Sequence, residues 1–500
     1  RKLLSEAGHA ARAIKPVFMM SPISVAQFLE PGKLSFDLLV IDEASQVRPV
    51  EALGAILRCK QFVVVGDNRQ LPPTSFFDRI DSGEEDDSEI EGTAAGDVES
   101  ILDLSVARGL PQRMLRWHYR SRHHSLIAVS NQEFYENRLY VVPSPDRDGS
   151  QRGLEFRFVT DGVFDSGRTR TNRPEARAVA QAMIEHALRT PNKSLGVGAF
   201  SVAQRDLILD EIEALRRAHP ETERFFSSND GEPWFVKNLE NIQGDERDVI
   251  LISVGYGRDQ RGSFTMNFGP LNKKGGERRL NVLISRAKER CVVYCSFRSD
   301  EIDLRRADSR GPQALKSFLR YAETGNLEGP RSTLRGQDSE FEAQIADLLR
   351  ARGFEVEPQV GVAGFFVDLA VIDPEFPGRF LVGIECDGAS YHSSRWARDR
   401  DRLRQEVLER HGWRIHRVWS TDWFHAREEQ TRKLIAVLED QRDRAREPVP
   451  PEGGATSPEL EPPAQLPPAP EAAEIVDESD DAGTDDASTL DLGKTSTVTY

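Results

Sequence analysis

The sequence predicts an α/β chain built on parallel sheets, followed by a smaller α/β unit and an unstructured acidic tail. Three observations lead there. Short β-rich runs alternate with helical patterns through the first 300 or so of the 500 residues, which is the signature of βαβ units. Those strand runs are continuously apolar, as expected when helices cover both faces of a sheet. The acid is segregated. Thirteen acidic residues stand against one base from Glu447 to Tyr500, and nine against none from Asp81 to Glu99. The formal net charge of -16 therefore lies in two segments, and the remainder is mildly basic, which fits nucleic-acid binding.

The elements follow in order. Strands are expected over Phe36–Ile41, Gln61–Val65, Gly196–Phe200, Asp248–Val254 and Cys291–Ser296. Helices are expected over Val47–Leu57, Arg173–Leu188, Ser201–Arg217 and Asn281–Lys288. Asp81–Gly96 reads as a low-complexity loop and Gly325–Gly336 as a linker. The tail after Arg446 holds nine prolines and cannot bury enough apolar surface to order itself. Length allows two to four domains. No apolar run of 18 residues predicts a membrane span. Four scattered cysteines suit a reduced, cytoplasmic setting rather than a disulfide framework. The chain opens on Arg1, so an internal piece of a longer protein is expected.

Active sites of parallel sheets sit at the carboxyl ends of strands. FDLLVIDEAS ends a strand in Asp42 and Glu43. Adjacent carboxylates there suit metal-dependent phosphoryl transfer, with Asp42 holding Mg2+ and Glu43 deprotonating the attacking water. Read alone they equally suit a helix N-terminus, where acids are favoured by the dipole. The next strand runs into Gly66-Asp67 and then Gln70-Leu71-Pro72-Pro73-Thr74. A neutral amide in that place can sense a γ-phosphate without adding charge.

DEASQ followed by GDNRQLPPT resembles motifs II and III of superfamily 1 helicases, in the branch that contains nonsense-decay and senataxin-type helicases. QRMLRWHYRSRHHSLIAVSNQEFYENRL (Gln112–Leu139) resembles motif IV, GAFSVAQRDLI the opening of the second domain's later half, ENIQGDERDVILISVGYG motif V, and RRLNVLISRAKERCVVYCS motif VI. The resemblance implies two RecA-like domains, over 1–110 and 111–325, with ATP between them. It implies arginine fingers at Arg120 and Arg286, phosphate sensing by Gln70, ribose contact by Glu246, and coupling of nucleotide to the bound strand through Gln243 and Gly244. The phosphate-cradling loop GxxxxGK[ST] is absent from the sequence given: Gly32-Lys33 and Gly493-Lys494-Thr495 both lack the earlier glycine.

Residues 333–445 read as a separate unit. Ser339–Arg352 has a helical apolar stripe, and Ser339 with Glu342 forms a capping-box pattern that competes with a catalytic role for Glu342. FFVDLAVI and FLVGIECDG read as a hairpin that places Asp368 opposite residue 384 or 385, with Glu385 and Asp387 on one strand face. Three carboxylates converging near one spot call for a divalent cation. Eight arginines against four acids between Arg395 and Arg417 suit phosphate backbone. This stretch resembles PD-(D/E)xK nucleases, especially domains similar to very-short-patch-repair endonucleases. The resemblance implies Asp368 and Glu385 as ligands of Mg2+ or Mn2+ and His392 as a proton-transfer or phosphate-contacting group. The family's lysine is replaced by Asp387, which leaves the water-activating group open.

Taken together, the sequence predicts an ATP-dependent DNA or RNA translocase fused to a metal-dependent endonuclease. Its partner is nucleic acid, and the acidic tail is available to proteins. The rivals are a helicase whose nuclease-like domain only binds DNA, and a non-catalytic nucleic-acid-binding scaffold.

Overall fold

In the computed structural model the described residues are 2–73, 99–146, 152–228, 231–306, 309–327, 340–362, 365–376, 378–387 and 404–446. His392, the acidic loop and the acidic tail lie outside them.

β1 (Phe36–Ile41) and β2 (Cys59–Val64) pair in parallel, with Leu39 opposite Phe62 and Ile41 opposite Val64. The helix Pro49–Ile56 makes the crossover between them; Pro49 opens it where a missing N–H costs nothing. Continuous burial was expected of both strands and is not found. Leu38, Val40 and Val63 are 52, 55 and 47% exposed, because the sheet has two strands among the described residues and one face is uncovered.

The second sheet is parallel and five-stranded. β5 (Gly153–Phe158), β6 (Leu195–Ala199), β7 (Phe235–Asn238), β8 (Arg247–Ser253) and β9 (Ala287–Cys295) lie in the order β5-β9-β8-β6-β7. Here the apolar runs are covered on both sides, and β6 is buried throughout. The helices Arg173–Arg189 and Val202–Ala218 pack on one face with Val179, Met183, Ile208 and Ile212. The helices Gly276–Ile284 and Arg310–Thr324 pack on the other with Leu280, Leu283, Leu315 and Phe318.

The helix expected at Asn281–Lys288 is displaced. It spans Gly276–Ile284 and stops there because Ser285 and Arg286 fold back on Val282, while Ala287 already pairs with Arg247 as β9 begins. β9 is correspondingly longer at its start than the expected Cys291–Ser296. A small parallel pair, β3 (Trp117–His118) with β4 (Tyr140–Val141), flanks the helix Ser125–Tyr135.

The third sheet runs β10-β11-β12-β13, from Val356–Val362, Phe365–Ile372, Phe380–Asp387 and Ile415–Trp419. The first three are antiparallel, and β13 joins β12 in parallel. The helix Glu340–Ala351 packs under it through Phe341, Ile345 and Leu349. Among the described residues no helix is long and apolar enough to cross a membrane.

Candidate functional site

Two sites emerge. The first is where the β1–β2 sheet meets the five-stranded sheet. Asp42 and Glu43 follow β1, as expected of a carboxyl end. Glu43 is held in the left-handed region at φ 48°, a conformation costly to a side chain with a Cβ. Its N–H donates to Asp42 Oδ1 at 2.9 Å, and its carboxylate accepts from Gln46 Nε2 at 3.1 Å.

After β2, Gln70 Nε2 donates to Asp67 Oδ2 at 3.0 Å, and Tyr135 OH donates to the same oxygen at 2.6 Å. Burial, then the Asp67 charge, raises the Tyr135 phenol well above its ordinary range, so it stays a donor. Asn281 Nδ2 donates to both Tyr135 OH and the Arg69 carbonyl, tying the helix Gly276–Ile284 to the segment that carries Gln70. The sequence names Asp67 in its motif without a role, and Tyr135 and Asn281 stand out only in the structure, although both lie inside motif segments.

The second-sheet residues gather at the amino ends of β8 and β9, not at the carboxyl ends where the sequence reading looked. Arg120 Nε donates to Glu246 Oε2 at 2.6 Å, and its Nη1 reaches the Ser285 carbonyl at 3.5 Å. Lys288 stands 3.4 Å from Glu246 Oε1. The two cations hold the Glu246 carboxyl below its ordinary range, outweighing partial burial. Arg286 is 2% exposed and is fixed by Nε to the Val282 carbonyl and Nη2 to Ser285 Oγ. Burial and the Arg120 charge bring its guanidinium down to about 10, partly countered by Glu43 from the first sheet. Arg120, Glu246 and Arg286 are thus brought together. Gly244 turns at φ 83° with open space where a side chain would sit, and Gln243 Nε2 is buried without a hydrogen-bond partner. Arg278 pairs with Glu99 at 2.8 Å.

The second site is on the third sheet. The register pairs Leu369 with Ile384, which puts Asp368 opposite Glu385 as the hairpin spacing predicts. Asp368 Oδ2 accepts the Cys386 N–H at 2.7 Å. Glu385 is 7% exposed, with Arg404 Nη2 at 3.4 Å. Both carboxyls are held above their ordinary range, first by burial and then by the neighbouring acids; one guanidinium does not offset this. Glu342 is buried, accepts from Gln359 Nε2 at 3.0 Å, and adds to the negative field on Asp368.

Asp387 stands near enough to add to the negative field on both Asp368 and Glu385, and it also pairs with Arg417 at 3.1 Å. Among the described residues no group of three or more His, Cys, Asp or Glu side chains is disposed to hold a metal. The donor set fits a cation held by two carboxylates. Asp368 and Glu385 are adjacent, half-buried and buried respectively, and short of positive charge, and Mg2+ commonly takes one or two carboxylates and completes its shell with water and phosphate.

A strand ending in paired acids and a five-stranded parallel sheet whose Arg286 feels the Glu43 charge form the arrangement typical of a RecA-like helicase. The third sheet adds a nuclease-type carboxylate pair. An AAA domain family (AAA_11) matches residues 24–77, a second AAA domain family (AAA_12) matches 98–298, and the REase_MTES_1575 family matches 341–438. The chain belongs to the superfamily 1 helicases of the nonsense-decay and senataxin-like branch, with a restriction-endonuclease-like domain at its C-terminal end.

It is 30% identical over 431 residues to the uncharacterized ATP-dependent helicase MG140 of Mycoplasma genitalium, covering 82% of this chain and 37% of that relative. It is 26% identical to the probable helicase MAGATAMA 3 of Arabidopsis thaliana, over 56% of this chain and 32% of that one. It is 24% identical to the DNA replication ATP-dependent helicase/nuclease DNA2 of Gallus gallus, over 52% and 23%. The chain therefore spans between 23 and 37% of the length of these relatives.

Proposed function

We propose that this chain forms part of an ATP-driven translocase on DNA whose C-terminal domain cleaves the strand. The observation that carries the motor reading is the cluster of Arg120, Glu246, Ser285 and Arg286 opposite Glu43, with Gln70 tied to both sheets through Asp67 and Tyr135. In this reading Glu43 orients the attacking water and takes its proton. Arg120 leaves Glu246 and, with Arg286, stabilises charge developing on the γ-phosphate. Glu246 is then free for the ribose, and Gln70 relays phosphate occupancy through Asp67 to Tyr135 and Asn281. Gln243 and Gly244 couple the nucleotide to the strand. Asp42 holds the Mg2+ of the nucleotide.

At the third sheet Asp368 and Glu385 hold the cation, Mg2+ with Mn2+ as substitute, which would polarise the scissile phosphate. Arg404 and Arg417 then face the phosphate backbone. The chicken relative's description as a DNA replication helicase/nuclease supports DNA as the strand. A second reading, a DNA-binding domain without cleavage, is favoured by one observation: Asp387 stands in place of lysine and is paired with Arg417.

The deciding assay is Mg2+-dependent cleavage of single- and double-stranded DNA by wild type and by Asp368→Ala. Cleavage by wild type, lost in the variant with DNA binding retained, is expected. Equal cleavage by both, or none by wild type with binding intact, would sink the nuclease reading. For the motor, Glu43→Gln in the full-length protein should bind ATP and lose hydrolysis by about 100-fold or more. Turnover within a few-fold of wild type would remove Glu43 as the base.

A further inference from the structure

The two sites are joined by side chains as well as by the chain. Trp117 in β3 lies three residues before Arg120. Its ring stands edge-on to Phe365 at 5.8 Å and tilted against Tyr140 at 5.3 Å. Phe365 opens β11, the strand of Asp368, and is 5% exposed. The Arg404 guanidinium lies over the Phe365 ring, 4.7 Å from its centroid. The same guanidinium donates to the Phe366 carbonyl and reaches Glu385 at 3.4 Å. An unbroken series of contacts thus runs from the arginine-bearing turn to the carboxylate pair. Each contact is directional: edge-on ring pairs and cation–π contacts weaken when a ring shifts.

In the proposed motor the Arg120 end of this series takes two arrangements, of which the paired one is seen. Arg120 is paired with Glu246 here, and that pair must open for Arg120 to meet a phosphate. A bistable element at one end and a directional path to the other is the physical requirement for coupling. Trp117 is 46% exposed, so it is not held in place by a deep core.

We propose that Trp117, through Phe365 and Arg404, acts as a positioning residue by which the nucleotide-dependent place of the Arg120 turn sets the geometry of Glu385. The proposal rests on the nuclease reading above for its consequence, but not for its physical basis. Cleavage then depends on whether nucleotide is bound at the motor.

The test uses the full-length protein, a non-hydrolysable ATP analogue and two readouts. One is Mg2+-dependent DNA cleavage; the other is amide hydrogen exchange at Phe366–Leu369, which needs no catalysis. In wild type the analogue should change cleavage by about 5-fold or more, the lower end of ordinary coupling, and alter exchange. Trp117→Ala should keep the nucleotide-free cleavage rate and lose both responses. Trp117→Phe, which keeps an aromatic edge, should restore part of them. Equal responses in wild type and Trp117→Ala, or no response of wild type in either readout, would overturn the bridge. An exchange response that Trp117→Ala abolishes, with no cleavage by any protein, would uphold the bridge and remove the nuclease reading alone.

Discussion

Glu175 shows what a single buried carboxyl does to this fold. It sits at the start of the helix Arg173–Arg189, fully buried, and accepts from Ser253 Oγ at 2.7 Å and the Gly255 N–H at 2.6 Å. Its other oxygen has no hydrogen-bond partner. Burial pushes its carboxyl up to about 8 despite those bonds, so it is protonated at neutral pH in the folded chain. The unfolded chain releases that proton near 4.5, the ordinary glutamate value. Between the two values the unfolded state binds fewer protons, so stability falls as pH rises from about 4.5 to about 8. Glu175→Gln keeps the shape and the acceptor while removing the titration. We expect it to fold and to flatten the decline in Tm between pH 5 and 8 by at least about 2–4 °C, equivalent to about 1 kcal/mol in a domain of this size. Parallel melting curves at pH 5, 6.5 and 8 check this, and identical slopes for the two proteins would contradict it. Asn172 and Gln204 complete the same network, which closes the carboxyl ends of β6 and β8. That edge is filled by structural polar bonds, while the arginines stand at the opposite edge.

At the scale of elements, two helix starts meet at one carbonyl. A Cβ built on Gly311 would lie 1.9 Å from the Leu271 oxygen, and one on Gly276 would lie 2.2 Å from it. Both contacts are with backbone, which cannot rotate aside. Gly311→Ala should therefore cost about 1–3 kcal/mol, the usual range for overpacking. Gly167→Ala, with nothing within 4 Å, should cost almost nothing, and thermal melts of the two variants compare them directly.

Much of this level was legible in the sequence where a local rule governs. β1 with Asp42-Glu43 at its end, and the Asp368–Glu385 register, follow from apolar runs, turn spacing and the two-residue period of a strand. The misplaced helix shows the limit. LNVLISRA reads as an apolar stripe, but a long-range strand pair, Arg247 with Ala287, fixes where β9 begins. Arg120 reaches Glu246 and the Ser285 carbonyl across 126 and 165 residues of sequence, and no local pattern reports its ion pair with Glu246. In the sequence Glu342 reads equally as a helix cap and as a catalytic acid. What reveals it is burial beside Gln359, itself at φ 52° in β10, a feature visible only once the sheet is folded.

At the scale of the whole molecule, the nuclease-like sheet borrows part of its core from the helicase half. Val142, just past β4, is 4% exposed and packs with Phe365, Val367, Ile372, Phe380, Leu408 and Trp413. Hydrogen bonds to its carbonyls fix the same strap: Trp413 Nε1 donates to the Pro143 carbonyl at 2.8 Å, and the Phe380 N–H to the Pro145 carbonyl at 2.7 Å. Asp146 and Arg379 form an antiparallel bridge beyond them. Residues 340–446 taken alone would leave this face open, which the sequence reading of a separate unit did not anticipate. The consequence is measurable at a distance in sequence. Val142→Ala removes two methyl groups, worth about 0.8 kcal/mol each, and leaves a cavity, for a total near 2 kcal/mol. That loss should appear as faster amide exchange over Phe365–Ile372, more than 200 residues away in the chain, as well as around β4. If exchange quickens around β4 alone, the C-terminal sheet closes its own core and the strap only rests on it. If β11 responds together with β4, the helicase half is a structural part of the nuclease-like domain, and the two halves cannot be separated without loss of stability.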